Sequence, residues 1–143
     1  DGTQWDYIGV YAGGTKKPVT TEILQRGDYG LENLQPLPGD RNVRLWPMVV
    51  NKLLEKSQKQ IHKVDHFLFT QINRSVIFKV MDALEQPQEK TSWIMHKYGY
   101  TGSGCIPMAF HHAVEDGKIK RGDTVVFMAS GAGLAVGSNL FVY

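Results

Sequence analysis

Three stretches of this sequence carry residues that could do chemistry, and each follows a strand-like run and opens a turn. They are residues 64–74, which end in polar side chains, residues 98–104, and the glycine-rich residues 129–133. We predict that these strand ends converge on one place. The glycine-rich stretch could bring backbone N–H groups close to a substrate oxygen, as an oxyanion hole requires. The alternative is a simple tight turn.

The glycine-rich stretch lacks the context of a nucleotide-binding loop. Such a loop needs a following helix whose N-terminus holds the phosphate, whereas residues 134–143 have the pattern of a strand. We therefore expect no bound nucleotide and no other cofactor.

The five histidines do not have the spacing of metal ligands. His111 and His112 are adjacent on a predicted helix and so point in different directions, and His62, His66 and His96 match no H-E-x-x-H or comparable motif. We expect no metal site. His66 lies inside a predicted strand, where a packed side chain is favoured over a general base.

Cys105 is the single cysteine and lies at the start of a predicted helix. That location can lower the pKa of a thiol and make it a nucleophile. No histidine is placed by the sequence to activate it, so a small buried residue is the favoured interpretation. A lone cysteine forms no internal disulfide, which fits a reducing compartment and predicts a cytoplasmic protein.

Length and composition predict one globular domain over residues 1–143, with 42% hydrophobic and 21% charged residues. The net charge is +2 and neither sign forms a long block, so we expect no nucleic-acid partner and no membrane surface. No apolar run approaches the roughly 20 residues that cross a bilayer. Because the sequence begins without methionine in a polar loop, we expect a fragment of a longer protein.

Hydrophobic periodicity predicts five strands and three helices. The predicted strands are residues 5–11, 64–69, 91–98, 123–129 and 134–143, and residues 16–39 form a long, partly irregular excursion. The helices begin with Pro47 at a first helical position, with a cap near Asn73, and with a cap at Thr101 or Ser103, the last ending at Gly117. Helix-linked strands should be parallel and the last strand antiparallel. The predicted fold class is α/β, a mixed five-stranded sheet with helices packed on it.

Four motifs in order resemble the C-terminal half of the thiolase-fold condensing enzymes, most closely 3-oxoacyl-acyl-carrier-protein synthase III. Residues 64–73 resemble the strand that ends in His-Gln-Ala-Asn in that family. Residues 98–107 resemble its Tyr-Gly-Asn-Thr-Ser-x-x-Ser-Ile-Pro segment, residues 117–123 its next turn, and residues 130–134 its glycine loop. The resemblance covers residues 1–143 and is strongest from Val64 onward.

This resemblance implies a thiolase-like fold built of two homologous α/β halves, of which this chain is the second. The nucleophilic cysteine of the family belongs to the first half, and Cys105 aligns instead with a serine. The second half supplies a histidine and an asparagine that hydrogen-bond the developing enolate, and a glycine-loop N–H, here that of Ala132, for the thioester oxygen.

Two of these positions depart from the family. Thr70 stands where the family has its histidine, and Tyr100 where it has its asparagine, while Gln71, Asn73 and the backbone of Ala132 are retained. A threonine hydroxyl donates one hydrogen bond but lacks the near-neutral pKa of imidazole. The phenol of Tyr100 could replace the hydrogen-bond donor lost with the asparagine, or its ring could merely fill the space at that position. We predict a diverged catalytic set of Thr70, Asn73 and Tyr100, with ordinary decarboxylative condensation weakened.

Two functions follow from the resemblance. The first is an acyltransferase or condensing enzyme of fatty-acid or polyketide-type biosynthesis, acting on thioesters of coenzyme A or acyl carrier protein as a homodimer or heterodimer. The alternative is a non-catalytic synthase-like subunit that binds or regulates an active condensing partner. In both cases residues 1–143 alone are predicted to be inactive, because the nucleophile would belong to the other half.

Overall fold

The computed structural model describes residues 1–143. Its helices are α1 (Thr21–Arg26), α2 (Arg41–Lys56), α3 (Arg74–Ala83), α4 (Met95–Tyr98) and α5 (Cys105–Glu115), with 3₁₀ turns at Ile61–Lys63, Gln88–Lys90 and Gly102–Gly104. Its strands are β1 (Ile8–Gly9), β2 (Glu32–Asn33), β3 (His66–Phe69), β4 (Thr124–Gly131) and β5 (Ala135–Val142). The chain divides into a first unit, Asp1–Pro38 with Gly131–Ala135, and a second, Gly39–Ser130 with Val136–Tyr143.

The first unit contains the short antiparallel pair β1 and β2, in which Ile8 lies opposite Asn33. The strand predicted over residues 5–11 is thus limited to two residues. Within the excursion at residues 16–39 the structure adds α1, whose first turn is capped by Thr20 Oγ1 accepting from the Ile23 N–H at 3.3 Å. This helix ends at Gly27, whose φ of 75° lies in the left-handed region that favours glycine.

The second unit is built around a three-stranded sheet in the order β3, β4, β5. β3 and β4 are parallel, with His66 opposite Val125. β5 is antiparallel to β4, because Gly122 before β4 donates to the Tyr143 carbonyl after β5 at 3.1 Å. The predicted strand directions are therefore confirmed for β3, β4 and β5 only.

The predicted single five-stranded sheet is wrong, because the structure has one sheet of two strands and one of three. Residues 91–98 do not form a strand: Thr91 makes one isolated parallel bridge to Phe67, and α4 follows at Met95. The β-branched and aromatic side chains here favour extended backbone, and the short extended part ends when the chain turns into α4.

Helices cover both faces of the β3 layer, since successive side chains of a strand point to opposite sides. Phe67 and Phe69 face a cluster built from α2 and α3, which includes Trp46, Val50, Ile77, Val80 and Met81. Leu68 faces a second cluster that includes Ala109 and Ala113 of α5. All four residues of β3 are buried, which explains the continuous apolar pattern of the strand.

The helix ends agree only in part with the sequence. Asn73 caps α3 as predicted, and Gly117 follows α5 with a φ of 70°. α2 instead begins six residues before Pro47, which lies inside the helix. α5 has Gly104 at its N-cap without a side-chain hydrogen bond, so the predicted cap at Thr101 or Ser103 is wrong.

Candidate active site

Thr70 directly follows β3 and is 3% exposed. Its N–H donates to the Met128 carbonyl of β4 at 3.1 Å, and its Oγ1 accepts from the Ser130 N–H at 3.0 Å. Both contacts tie the end of β3 to the parallel strand beside it. The hydroxyl proton makes no hydrogen bond within the protein, so it is free to be donated.

Gln71 is fully buried and uses both ends of its amide. Its Nε2 donates to the carbonyls of Phe69 at 2.9 Å and Ser92 at 3.3 Å, and its Oε1 accepts from the Ile94 N–H at 2.9 Å. The side chain thus satisfies backbone groups of the extended segment before α4, where a neighbouring strand would otherwise do so. Gln71 therefore connects the end of β3 to the segment that leads to Tyr100.

Asn73 is exposed and serves first as a helix cap. Its Oδ1 accepts from both the N–H and the hydroxyl of Ser75, each at 2.9 Å. This geometry satisfies one of the free N–H groups in the first turn of α3. The amide nitrogen of Asn73 makes no hydrogen bond within the protein, so it remains available as a donor.

Tyr100 follows α4 and is 51% exposed. Partial burial, and then the neighbouring thiol of Cys105, raise the pKa of the phenol above its ordinary value of 10.0. The phenol is therefore protonated at neutral pH and can act as a hydrogen-bond donor. No hydrogen bond joins Thr70, Asn73 and Tyr100 to one another.

Ala132 belongs to the first unit, in the loop that connects β4 to β5. The residue is exposed. The tight connection predicted between these strands is thus confirmed, and the role of the Ala132 N–H stays a prediction.

His66 is packed rather than poised as a base, as its position in a strand predicted. It is 1% exposed, and its Nε2 lies 2.9 Å from Ser92 Oγ. Burial, with a smaller contribution from the positive charge of Lys118, lowers the pKa of His66 to about 4, against a weaker opposite effect of Asp123. The imidazole is neutral at physiological pH.

Cys105 is the first residue of α5, and its thiol is buried. This placement agrees with the interpretation as a small buried residue. No group of three or more His, Cys, Asp or Glu side chains is arranged to hold a metal ion. None of the helices has both the length and the apolar character that crossing a membrane requires.

Sequence reasoning missed two features of this region. The bond from the Ser130 N–H to Thr70 joins residues 60 positions apart, and no local pattern signals it. The sequence contains one signal for the role of Gln71, because a long polar side chain directly after a fully buried strand needs internal hydrogen-bond partners.

A protein-family model described as 3-oxoacyl-[acyl-carrier-protein (ACP)] synthase III C terminal matches residues 54–143. The chain belongs to this family. The resemblance drawn from the sequence motifs is therefore confirmed, and the α/β architecture of the second unit is that of a synthase III C-terminal part.

Relatives of the synthase III family match the whole chain. The beta-ketoacyl-[acyl-carrier-protein] synthase III of Aliarcobacter butzleri is 36% identical over 143 residues, which are 100% of this chain and 43% of the relative. That of Solibacter usitatus is 29% identical over 142 residues, which are 99% of this chain and 43% of the relative. The chain thus spans less than half the length of these curated relatives.

Solved structures agree with this assignment. The 3-oxoacyl-[acyl-carrier-protein] synthase III of Aquifex aeolicus superposes with a TM-score of 0.68 at 36% identity, over 71% of this chain and 33% of that one. The enzyme of Pseudomonas aeruginosa superposes with a TM-score of 0.81 at 23% identity, over 100% of this chain and 43% of that one. The second similarity shows the shared thiolase-like fold alone.

Proposed function

We propose that this chain is the C-terminal part of a condensing enzyme that acts on acyl thioesters in fatty-acid or polyketide-type biosynthesis. Its active site would stabilise a developing oxyanion through hydrogen-bond donors rather than through an imidazole. The thioesters would be carried by coenzyme A or an acyl carrier protein, and the protein would work in the cytoplasm as a homodimer or heterodimer.

The observation that carries this proposal is the anchored hydroxyl of Thr70. Its oxygen is held by the Ser130 N–H at 3.0 Å, while its proton has no acceptor within the protein. A buried hydroxyl fixed in this way is a preorganised donor for a developing oxyanion, because no reorientation is needed when charge develops. It cannot exchange protons as a histidine would.

Three further groups would complete the donor set. The protonated phenol of Tyr100 and the free amide nitrogen of Asn73 are the proposed side-chain donors in the second unit. The backbone N–H of Ala132 is proposed on the sequence match alone. The nucleophilic cysteine that would hold the acyl group as a thioester is expected in the other half of the family fold.

The enzyme proposal is tested by exposing the intact protein to an acyl-thioester donor and measuring its mass. An increase equal to one acyl group, followed by formation of a condensed product when an extender thioester is added, is the expected outcome. Absence of any covalent acyl-enzyme under turnover conditions would contradict the enzyme proposal.

Substitutions at Thr70 and Tyr100, the two positions proposed to depart from the family, distinguish hydrogen-bond donation from space filling. Thr70→Val and Tyr100→Phe each remove one donor, and each is expected to lower the rate of condensation by about 100- to 1000-fold. Thr70→Ser is the matched control, because it keeps the hydroxyl and should keep most of the rate. An unchanged rate in Tyr100→Phe would assign Tyr100 a space-filling role.

The alternative remains a non-catalytic subunit that binds or regulates an active condensing partner. It is favoured by one observation: His66, the only buried imidazole, is neutral and bonded to Ser92 at 2.9 Å, so it offers no substitute base. Mixing the intact protein with a purified active synthase should then change the rate of that synthase, while Thr70→Val leaves this effect unaltered.

A further inference from the structure

A second candidate site lies in the second unit beside the extended segment that precedes α4. A pocket of about 250 Å³ opens between the extended segment before α4 and the C-terminal end of α5. Its charged walls are Lys97 and Lys118, and Asp116 is the one carboxylate among them. The imidazoles of His96 and His112 also line it. The pocket therefore carries an excess of positive charge.

This positive charge is not neutralised within the protein. Every ion pair closer than 4.0 Å involves Arg26 or Arg44, so neither lysine of the pocket lies that close to a carboxylate. The buried hydroxyl of Ser92 also lines the pocket, held by His66 at 2.9 Å. The two lysine ammonium groups are donors that suit the several acceptor oxygens of a phosphate group.

An adjacent pocket of about 460 Å³ shares the side chains of Trp93 and Lys118 with the first. Phe78 lines it as well and packs edge-to-face against Trp93, with ring centroids 5.1 Å apart. The Lys118 Nζ lies 6.0 Å from the Trp93 ring centroid. A ligand that crosses from one pocket to the other would thus meet cations at one end and aromatic surface at the other.

We propose that the two pockets form one binding site for a small aromatic phosphate ester, with the phosphate held by Lys97 and Lys118 and the ring packed against Trp93. The site is independent of the proposed synthase function. Neither pocket is lined by Thr70, Asn73, Tyr100 or Ala132, the residues proposed for that function.

Phenyl phosphate is the probe, with phenol and inorganic phosphate as its two separated parts. The intact protein is labelled with 5-fluorotryptophan, and the ¹⁹F resonances of the three tryptophans of this chain are assigned by tryptophan-to-phenylalanine substitution. Phenyl phosphate should shift the Trp93 resonance saturably and leave that of the core residue Trp46 in place. Binding at least about tenfold tighter than either part alone is expected, because only the ester fills both pockets.

Lys118→Gln should weaken the binding of phenyl phosphate at least about fivefold, since it removes a charge that both pockets share. Lys120→Gln is the matched control: Lys120 is also exposed and lies two residues further on, but it lines neither pocket, and its substitution should change the affinity less than about twofold. The proposal is overturned if the Trp93 resonance does not respond, if phenol binds as tightly as phenyl phosphate, or if both lysine variants behave alike.

Discussion

The hydroxyl oxygen of Thr70 accepts a hydrogen bond from the backbone N–H of Ser130 at 3.0 Å, across 60 residues of sequence. The bond joins the end of β3 to the end of β4, and it holds in place the side chain that we propose replaces the histidine of the synthase III family. The same contact thus serves the stability of the sheet and the geometry of the candidate site.

Replacement of Thr70 by valine should lower the free energy of unfolding by about 1–2 kcal/mol, because valine keeps the shape but leaves the Ser130 N–H without its acceptor. Urea unfolding measures the change. Thr70→Ser retains the acceptor, so the Ser130 amide should stay protected from hydrogen exchange in that variant and lose protection in Thr70→Val. Equal protection in both variants would contradict the assigned role of the hydroxyl.

Replacement of Gln71 by glutamate should destabilise the protein at neutral pH by about 3 kcal/mol or more, because a buried carboxylate would then face the carbonyls of Phe69 and Ser92. Those carbonyls and the burial would raise the pKa of the new carboxyl. Because the pKa of the new glutamate is higher in the folded protein than in the unfolded chain, the loss of stability is smallest below the unfolded-state pKa. The loss then grows as the pH rises.

The comparison of Gln71→Glu with the parent protein in urea at pH 4.5 and pH 7.5 measures this effect. The difference in unfolding free energy between the two proteins should be larger at pH 7.5. Gln86→Glu is the control, since Gln86 donates only to nearby carbonyls of its own turn and is less buried. A pH-independent deficit in Gln71→Glu would show that lost packing, not the charge, is responsible.

His66 should make the protein less stable in mild acid. Its folded-state pKa is lowered to about 4 from 6.5, so the unfolded chain binds a proton that the folded protein excludes. The stability that the neutral imidazole contributes is full above pH 6.5 and is lost as the pH falls toward 4, by about 3 kcal/mol in total. Urea unfolding from pH 7 to pH 4 should show this slope, and His66→Gln should remove that component.

Trp46 should tolerate phenylalanine far better than alanine. It stacks on Phe69 with ring centroids 5.3 Å apart, and its indole N–H has no hydrogen-bond partner. Trp46→Phe therefore loses volume but no hydrogen bond and should cost about 1–2 kcal/mol, whereas Trp46→Ala should cost about 3–5 kcal/mol. A cost of Trp46→Phe equal to that of Trp46→Ala, measured by thermal unfolding, would reveal an unrecognised partner of the indole N–H.

Local signals in the sequence predicted the parts of the fold that depend on neighbouring residues. The spacing of apolar residues predicted α3 and α5, a cap of α3 was expected at or near Asn73, and the short connection predicted the antiparallel pair β4 and β5. The start predicted for α2 at Pro47 was wrong, because the helix continues through Pro47, which is buried together with Trp46 and Val50. Residues 91–98 were misassigned because β-branched and aromatic side chains favour extended backbone without deciding whether a partner strand is present.

For the candidate site, the sequence alone determined which positions we propose as site residues, because Thr70 and Tyr100 lie within motifs that resemble those of the family. Only the tertiary structure decided how those side chains are held. The contacts of Thr70 with Ser130, of Gln71 with Ser92 and Ile94, and of His66 with Ser92 join residues 21 to 60 positions apart. Hydrogen bonds at such separations depend on how the strands and loops pack together, and no local periodicity or propensity encodes them.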